Sequence, residues 1–214
     1  MPTHHRFALG SVLLGLLLPL LDAQAASMRL GNVMSGTMIH KDVQSIRERR
    51  FENIVEQKTD FSCGAASLAT IFRYAYQKPS VTEESVLAGM LEVADPELVR
   101  QQGFSLLDLK HYVEELGYRG RGYEVAPQTL DEVSIPGIVL LDLEGYKHFV
   151  VMKKARDDRV YVGDPALGNR VMDRDDFLAA WNGIIFAVVG DGFDRDTVLL
   201  DPRQPLTAHR MQDV

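Results

Sequence analysis

The stretch that decides the fold surrounds the one cysteine of the chain and reads Gln57-Lys58-Thr59-Asp60-Phe61-Ser62-Cys63-Gly64-Ala65-Ala66. A polar loop gives way here to an apolar helix, and Cys63 lies at the junction. The unpaired N–H groups at a helix N-terminus stabilise a thiolate. Gly64 is expected to let the backbone approach a bound carbonyl group, and the two alanines to let the helix pack tightly. A cysteine that only fills a core needs no such surroundings, so the stretch indicates a reactive thiol.

Helices are predicted first along the chain and strands later. Apolar residues recur at helical spacing over 63–76, 81–93 and 104–116, with Asp60 or Ser62, Thr82 and Ser105 as the N-cap residues. Short runs rich in Val, Ile, Leu and Tyr predict strands over 118–125, 137–143, 148–154, 159–163 and 184–189, with one more helix over 173–181 and a short strand over 51–57. This order, with little alternation, predicts an α+β fold with a largely antiparallel sheet.

The N-terminal 25 residues have the pattern of a secretory signal peptide. A weakly positive start precedes an apolar run over 7–21, and Ala23-Gln24-Ala25 resembles a cleavage site. The alternative is an uncleaved membrane anchor. Cleavage predicts a periplasmic protein that begins near Ala26, with an arm over 26–50, a folded domain over 51–190 and a tail over 191–214. Two prolines in the polar tail predict an extended or loosely packed segment.

Composition excludes several classes of protein. Apolar residues make up 46% of the 214 and charged residues 25%, which is a globular balance. The net charge of −7 argues against a nucleic-acid partner, because binding phosphates requires a basic face. A single cysteine excludes an intramolecular disulfide and a zinc site built on several thiolates, and no cofactor is indicated.

A thiolate nucleophile needs a neighbouring base, and His148 is the best candidate. Of the four histidines after the signal peptide, three lie in the arm, in the tail or on a predicted helix surface: His40, His209 and His111. If the strands over 148–154 and 159–163 form a hairpin, Asp164 comes near His148 and would fix its tautomer. An ordinary turn at Asp164-Pro165 explains the same residues, and the spacing leaves both interpretations open.

The order and spacing of these residues resemble a papain-like cysteine peptidase family that removes double-glycine leader peptides and occurs fused to bacteriocin ABC exporters. The shared pattern consists of Gln57, Cys63-Gly64, His148-Phe149, Asp164-Pro165 and Trp181-Asn182-Gly183. It spans roughly residues 51–190. Within this family the chain most resembles exported stand-alone proteases that are encoded with bacterial functional-amyloid fibre systems.

The resemblance implies a papain-like fold, with N-terminal helices packed on a C-terminal sheet, and the activity of a cysteine endopeptidase. It implies that Cys63 is the nucleophile, that His148 is the general base and that Asp164 orients His148. The side-chain amide of Gln57 and the backbone N–H of Cys63 would form the oxyanion hole, whereas Trp181 would be a core or wall residue. The implied partner is a protein or peptide substrate, such as an amyloid fibre subunit or its secretion machinery.

Two other functions remain open from the sequence. One is a catalytically silent peptide-binding module of the same fold, although the chain keeps Cys63, His148 and Gln57. The other is a cell-wall peptide amidase, since related papain-like folds cleave murein peptides. The sequence predicts no cofactor and no stable membrane span after signal cleavage.

Overall fold

A computed structural model describes residues 27–29, 40–42 and 44–202. The predicted signal peptide and the last part of the predicted tail lie outside the described residues. The chain divides into two compact units, Met1–Gln44 and Ser45–Val214. In the first unit, strand β1 (Ser27–Arg29) pairs in antiparallel fashion with strand β2 (His40–Asp42).

The second unit opens with five helices. They are α1 (Ile46–Arg50), α2 (Cys63–Ala75), α3 (Glu83–Val93), α4 (Pro96–Gln102) and α5 (Leu106–Glu115). The three predicted helices are confirmed as α2, α3 and α5, and Thr82 and Ser105 cap the last two with reciprocal hydrogen bonds. Helix α4 was not predicted because it has seven residues and buries only Val99, so it carries no apolar period that could be read.

The remaining strands form one antiparallel sheet. They are β3 (Arg119–Glu124), β4 (Gly137–Leu143), β5 (Tyr146–Arg156), β6 (Arg159–Asp164), β7 (Gly168–Asp173) and β8 (Trp181–Val189), with helix α6 (Arg174–Ala180) before β8. The strand order is β3-β8-β4-β5-β6-β7. The predicted α+β arrangement is therefore confirmed. Strand β7 was missed because its exposed and half-buried residues at the sheet edge do not alternate.

Buried residues lie on both faces of the sheet. Helix α2 covers one face, where its Leu68 and Phe72 belong to the same apolar cluster as Phe149 of β5. Phe177 of α6 belongs to the cluster on the other face. A Cβ atom added to Gly64 would lie 3.2 Å from a Leu109 side-chain atom and 3.3 Å from one of Phe149. This glycine thus lets α2 pack closely on its neighbours, which is a different reason from the access to a carbonyl group that the sequence suggested.

Two local predictions are wrong. Residues 51–57 form turns and irregular backbone instead of a strand, because their hydrogen bonds go to separate partners and not to one neighbouring strand. The N–H of Val55 donates to the Thr70 hydroxyl, and that of Gln57 to the carbonyl of Pro165.

The predicted tail is anchored at two residues in the part that is described. Its Thr197 hydroxyl donates to the Tyr74 carbonyl at 2.6 Å, and Leu199 is fully buried in the cluster under α2. The loose packing expected from its polar composition is therefore wrong at these two residues, whereas six of residues 191–202 are exposed. Among the described residues, no helix has the length and apolar character needed to cross a membrane.

Candidate active site

The hairpin of β5 and β6 brings His148 and Asp164 together. The two strands are antiparallel with Val151 opposite Gly163, so the start of β5 and the end of β6 lie at the same edge of the hairpin. The Nε2 atom of His148 lies 2.9 Å from Oδ1 of Asp164, and the two residues are 3% and 0% exposed. The predicted hairpin and the predicted proximity of these two residues are thus present.

The carboxylate of Asp164 is surrounded by donors. Its Oδ1 atom also accepts from the backbone N–H groups of Ala166 at 2.9 Å and Leu167 at 3.0 Å, while Oδ2 accepts from Arg170 Nη1 at 3.1 Å. Burial alone would raise the pKa of Asp164, but the hydrogen bond and charge of His148 and these two N–H groups hold it below its ordinary value. The segment is therefore a turn whose carboxylate also faces the imidazole, so the two interpretations of Asp164-Pro165 are compatible.

Cys63 acts on the same imidazole from the other side. Burial would lower the pKa of His148, but the hydrogen bond to Asp164, the polar interaction with the nearby Cys63 thiol and the charges of both residues raise it to about 9. Since Asp164 occupies Nε2, the interaction with the thiol falls to Nδ1, which is buried and makes no well-formed hydrogen bond in the described part of the chain. Such bonds often shorten only when substrate binds. The His148 imidazole therefore keeps its proton at neutral pH, with the Cys63 thiol as its neighbour.

The first turn of α2 keeps its backbone donors available. Ser62 occupies the N-cap position, one of the two that the sequence allowed, but its side chain makes no capping bond. Its hydroxyl donates instead to the carbonyl of Thr59 at 2.8 Å. The helix that begins at Cys63 therefore presents N–H groups without a side-chain acceptor, and such groups bind negative charge.

Gln57 is fixed by two hydrogen bonds. Its backbone N–H donates to the Pro165 carbonyl at 2.9 Å, and its side-chain Nε2 donates to the Thr59 carbonyl at 3.1 Å. An amide nitrogen carries two hydrogens, so one of them is left for another acceptor. The Oε1 atom is buried and has no hydrogen-bond partner among the described residues. This is a held side-chain amide with a spare donor, as an oxyanion hole requires.

Sequence reasoning missed Tyr146. Its ring stacks on the His148 imidazole, with centroids 5.8 Å apart and planes at 24°, and its hydroxyl donates to the Asp60 carbonyl at 3.2 Å. The pKa of Tyr146 is raised by partial burial and then by the charges of Cys63, Asp60 and Asp164. Phe61 and Leu167, which are close in sequence to Cys63 and Asp164, also have exposed side chains. No motif spacing singles out Tyr146, because it reaches the site only through the fold.

The other residues that the sequence considered lie elsewhere. His111 is exposed on α5. The side chain of His40 and the whole of His209 lie outside the described residues. Trp181 is 8% exposed in the cluster beside α6, where its Nε1 donates to the Ile184 carbonyl at 2.8 Å. Its predicted role as a core residue fits this position.

The fold and this site lead to a family assignment. The profile of the peptidase C39 family matches residues 52–191, and the chain belongs to that family. It is a cysteine peptidase with the papain-like fold that the resemblance predicted.

Three known proteins show the similarity in detail. The chain is 59% identical over 184 residues to a probable functional amyloid protease, FapD, of Pseudomonas fluorescens, a match that covers 86% of this chain and 81% of that protein. It is 53% identical over 198 residues to the probable functional amyloid protease FapD of Pseudomonas aeruginosa, covering 92% and 87%. A crystal structure of a double-glycine-motif protease from an AMS/PCAT transporter, in complex with the leader peptide, superposes with a TM-score of 0.53. It is 26% identical and the match covers 64% of this chain and 89% of that one.

Proposed function

We propose that this protein is an exported, periplasmic cysteine endopeptidase that processes a secreted partner protein of a functional-amyloid fibre system. Its nucleophile is Cys63, its base is His148, its orienting carboxylate is Asp164, and Gln57 contributes to the oxyanion hole. The observation that carries this proposal is the buried His148 imidazole, whose Nε2 is bonded to Asp164 and whose Nδ1 has no hydrogen-bond partner among the described residues, with Cys63 near enough to raise its pKa. Export is supported by the signal-peptide pattern of residues 1–25.

The geometry supports a two-step hydrolysis. The Cys63 sulfur attacks the scissile carbonyl carbon, a C–S bond forms, and the carbonyl oxygen becomes negative. The Gln57 amide and the Cys63 N–H donate to that oxygen. As the C–N bond breaks, the imidazolium of His148 gives its proton to the leaving amine. The neutral imidazole then takes a proton from water, which attacks the thioester and releases the acid and the thiolate.

The site edge supports a peptide as substrate. Tyr146, which stacks on His148, is 52% exposed, whereas the catalytic pair is buried. Phe61 and Leu167, which are close in sequence to Cys63 and Asp164, are 44% and 52% exposed. Apolar side chains with a few convergent polar groups are typical of ligand-binding sites. The two curated relatives are named for functional amyloid, which supports a fibre subunit or a component of its secretion machinery as the partner.

Mass spectrometry of partner proteins tests the proposal. The chain is expressed together with the secreted proteins of a functional-amyloid system, either unchanged or as Cys63→Ala, and the termini of those proteins are determined. We expect a new terminus that depends on Cys63. Partners that are intact in both cultures, or cut equally in both, would contradict the proposed function.

Purified peptidoglycan provides the contrasting substrate. A cell-wall amidase would release murein peptides in a Cys63-dependent manner and leave the partner proteins intact. We expect the opposite result, with partner cleavage and no release from peptidoglycan.

A further inference from the structure

Asp164 is held at both oxygen atoms, and only one of them is used by the proposed triad. His148, Ala166 and Leu167 all donate to Oδ1. The second oxygen, Oδ2, accepts from Arg170 Nη1 at 3.1 Å. Because Asp164 is 0% exposed, solvent does not compensate the charge at Oδ2. The guanidinium is therefore the group that satisfies this side of the carboxylate.

The charges at the site explain why a cation is useful there. In the proposed mechanism the Cys63 thiolate, the His148 imidazolium and the Asp164 carboxylate together carry one net negative charge. In a buried place this excess attracts the imidazolium proton strongly, and a strongly held proton is a poor one to give to a leaving amine. Arg170 brings the sum to zero. It is always charged at the pH where such an enzyme works.

The fold delivers Arg170 from the edge of the sheet. Strand β7 is an edge strand of the sheet. Its Arg170 lies opposite Val162 of β6, and Val162 is two residues before Asp164. Its side chain is 35% exposed, so it reaches inward from solvent. The Lys153 ammonium of β5 does not substitute for it, because that group donates to Asn169. Other ionisable groups of the described residues also act at this site: His148 on Asp164, Cys63 on His148, and Asp60 together with Cys63 and Asp164 on the Tyr146 phenol.

We propose that Arg170 is a positioning residue of the peptidase, which fixes the second oxygen of Asp164 and balances its charge against the catalytic pair. It touches neither the substrate nor the reacting atoms and acts through Asp164 on His148. This inference rests on the proposed function, because the role of Arg170 in catalysis requires that the protein is a peptidase. The contact between Arg170 and Asp164 is observed independently of that function.

Titration of His148 by NMR tests the proposal without a substrate. The imidazole signal is assigned by its loss in His148→Gln and followed with pH in the purified full chain. Arg170→Gln keeps an N–H donor for Oδ2 but has no charge. The imidazolium of His148 then loses a nearby positive charge, so its titration midpoint should rise by about one pH unit, the size of effect expected for one partly screened charge. Arg170→Lys keeps the charge and should titrate near the wild-type midpoint. A purely structural residue would not produce this charge-dependent difference.

Arg121→Gln is the matched control, since Arg121 is an exposed residue of β3 at the opposite edge of the sheet. It should leave the midpoint unchanged. An Arg170→Gln midpoint equal to that of the wild type, or an equal shift in Arg121→Gln, would overturn the proposal. Thermal melting of each variant checks that it is folded. If Arg170→Gln does not fold, Arg170→Lys still tests the proposal, because a midpoint far from that of the wild type would contradict it.

The two proposals fail separately. If Cys63→Ala still cleaves a partner protein, the proposed function falls, whatever the titration of Arg170→Gln shows. If Cys63→Ala is inactive and Arg170→Gln titrates like the wild type, only the role of Arg170 falls. On a peptide that the wild type cleaves, the pH at which activity declines should move upward in Arg170→Gln together with the NMR midpoint.

Discussion

The two sides of the candidate site are built differently. His148 and Asp164 stand on paired strands, are almost completely buried and are joined by a network in which every donor to the carboxylate is within 3.1 Å. Cys63 follows a loop whose residues 58–61 are exposed. That loop is held by a few single bonds, from Gln57 to the turn residue Pro165 and from Tyr146 to Asp60. Lys58 also bonds through its N–H to Glu83 and through its ammonium group to Glu84 of α3.

The strands that carry His148 and Asp164 must be rigid, whereas the loop before Cys63 must be able to move. An imidazole acts well only when its tautomer and direction are fixed before the substrate arrives. A loop held by single hydrogen bonds opens at a low free-energy cost. We therefore expect changes on the strand side to act on the chemical step, and changes on the loop side to act on access to the thiol.

The largest effect should follow removal of either member of the proposed catalytic pair, Cys63 or His148. Cys63→Ala and His148→Ala should each lower peptide turnover by more than about 10³-fold, and the double variant should be no worse, because such residues act as a unit. Turnover of a peptide that the wild type cleaves measures this.

Both single variants should remain folded, as circular dichroism would show. After His148→Ala, Asp164 keeps its bonds to Ala166, Leu167 and Arg170, so the loss of one hydrogen bond should cost about 1–3 kcal/mol. Losses that add in the double variant would argue against a shared mechanism.

The next effect concerns Gln57, where the two sides meet. Gln57→Ala should lower kcat by ~10²–10³ with little change in KM, because an oxyanion donor acts only as negative charge develops. Gln57→Glu should be at least as harmful, since a carboxylate repels both the thiolate and the oxyanion. Steady-state kinetics on the same peptide measures both values.

Alkylation of Cys63 by iodoacetamide is the internal control for Gln57. That reaction forms no carbonyl oxyanion, and the chain has a single cysteine, so the labelled residue is unambiguous. The alkylation rate should be unchanged in Gln57→Ala. If alkylation and cleavage slow together, Gln57 supports the thiolate or the local fold instead.

The same contrast explains what could be predicted from the sequence. The strand side could be predicted because turn residues and the regular spacing of apolar residues indicate a hairpin. A hairpin determines which strand ends lie next to each other. The structure of the loop side could not be predicted in the same way. Residues 51–57 have the apolar content of a strand, but their N–H groups bond to Thr70 and Pro165, which are distant in sequence.

The other omissions have two different causes. Tyr146 reaches Asp60 across 86 positions, and nothing in its own neighbourhood announces this. Arg170 lies on a strand with no alternation to read, six residues after the carboxylate that it binds. The family resemblance supplied Gln57, but it could not supply residues outside the shared motif.

A smaller effect is expected from pH. His148 has a pKa raised to about 9, so the imidazolium is present below that pH and is lost above it. Peptide cleavage, which needs the proton for the leaving amine, should fall about tenfold per pH unit above 9. Alkylation by iodoacetamide needs only the thiolate and should not fall there. Parallel decline of both reactions would contradict the role of His148 as the acid.

The same shift has a consequence for stability. A raised pKa contributes stability that is complete below the ordinary value of 6.5 and is lost as the pH rises through about 9. The difference in unfolding free energy between the wild type and His148→Gln should therefore shrink over this interval. Urea unfolding at several pH values measures it.

The smallest effect should come from the bond that joins the two sides, between the Tyr146 hydroxyl and the Asp60 carbonyl. Tyr146→Phe keeps the ring that stacks on His148 and removes only this bond, which lies at 3.2 Å in an exposed position. A single such bond contributes about 0.5–1.5 kcal/mol, so alkylation of Cys63 should accelerate by about two- to tenfold if the bond restrains the loop over the thiol.

Tyr146→Ala also removes the ring and should accelerate alkylation further while lowering kcat, because the imidazole loses its stacking partner. Tyr123→Phe is the control, since Tyr123 is an equally exposed tyrosine on β3. If Tyr146→Phe is alkylated at the wild-type rate and Tyr146→Ala is not, the ring alone limits access, and the loop is restrained by its other contacts.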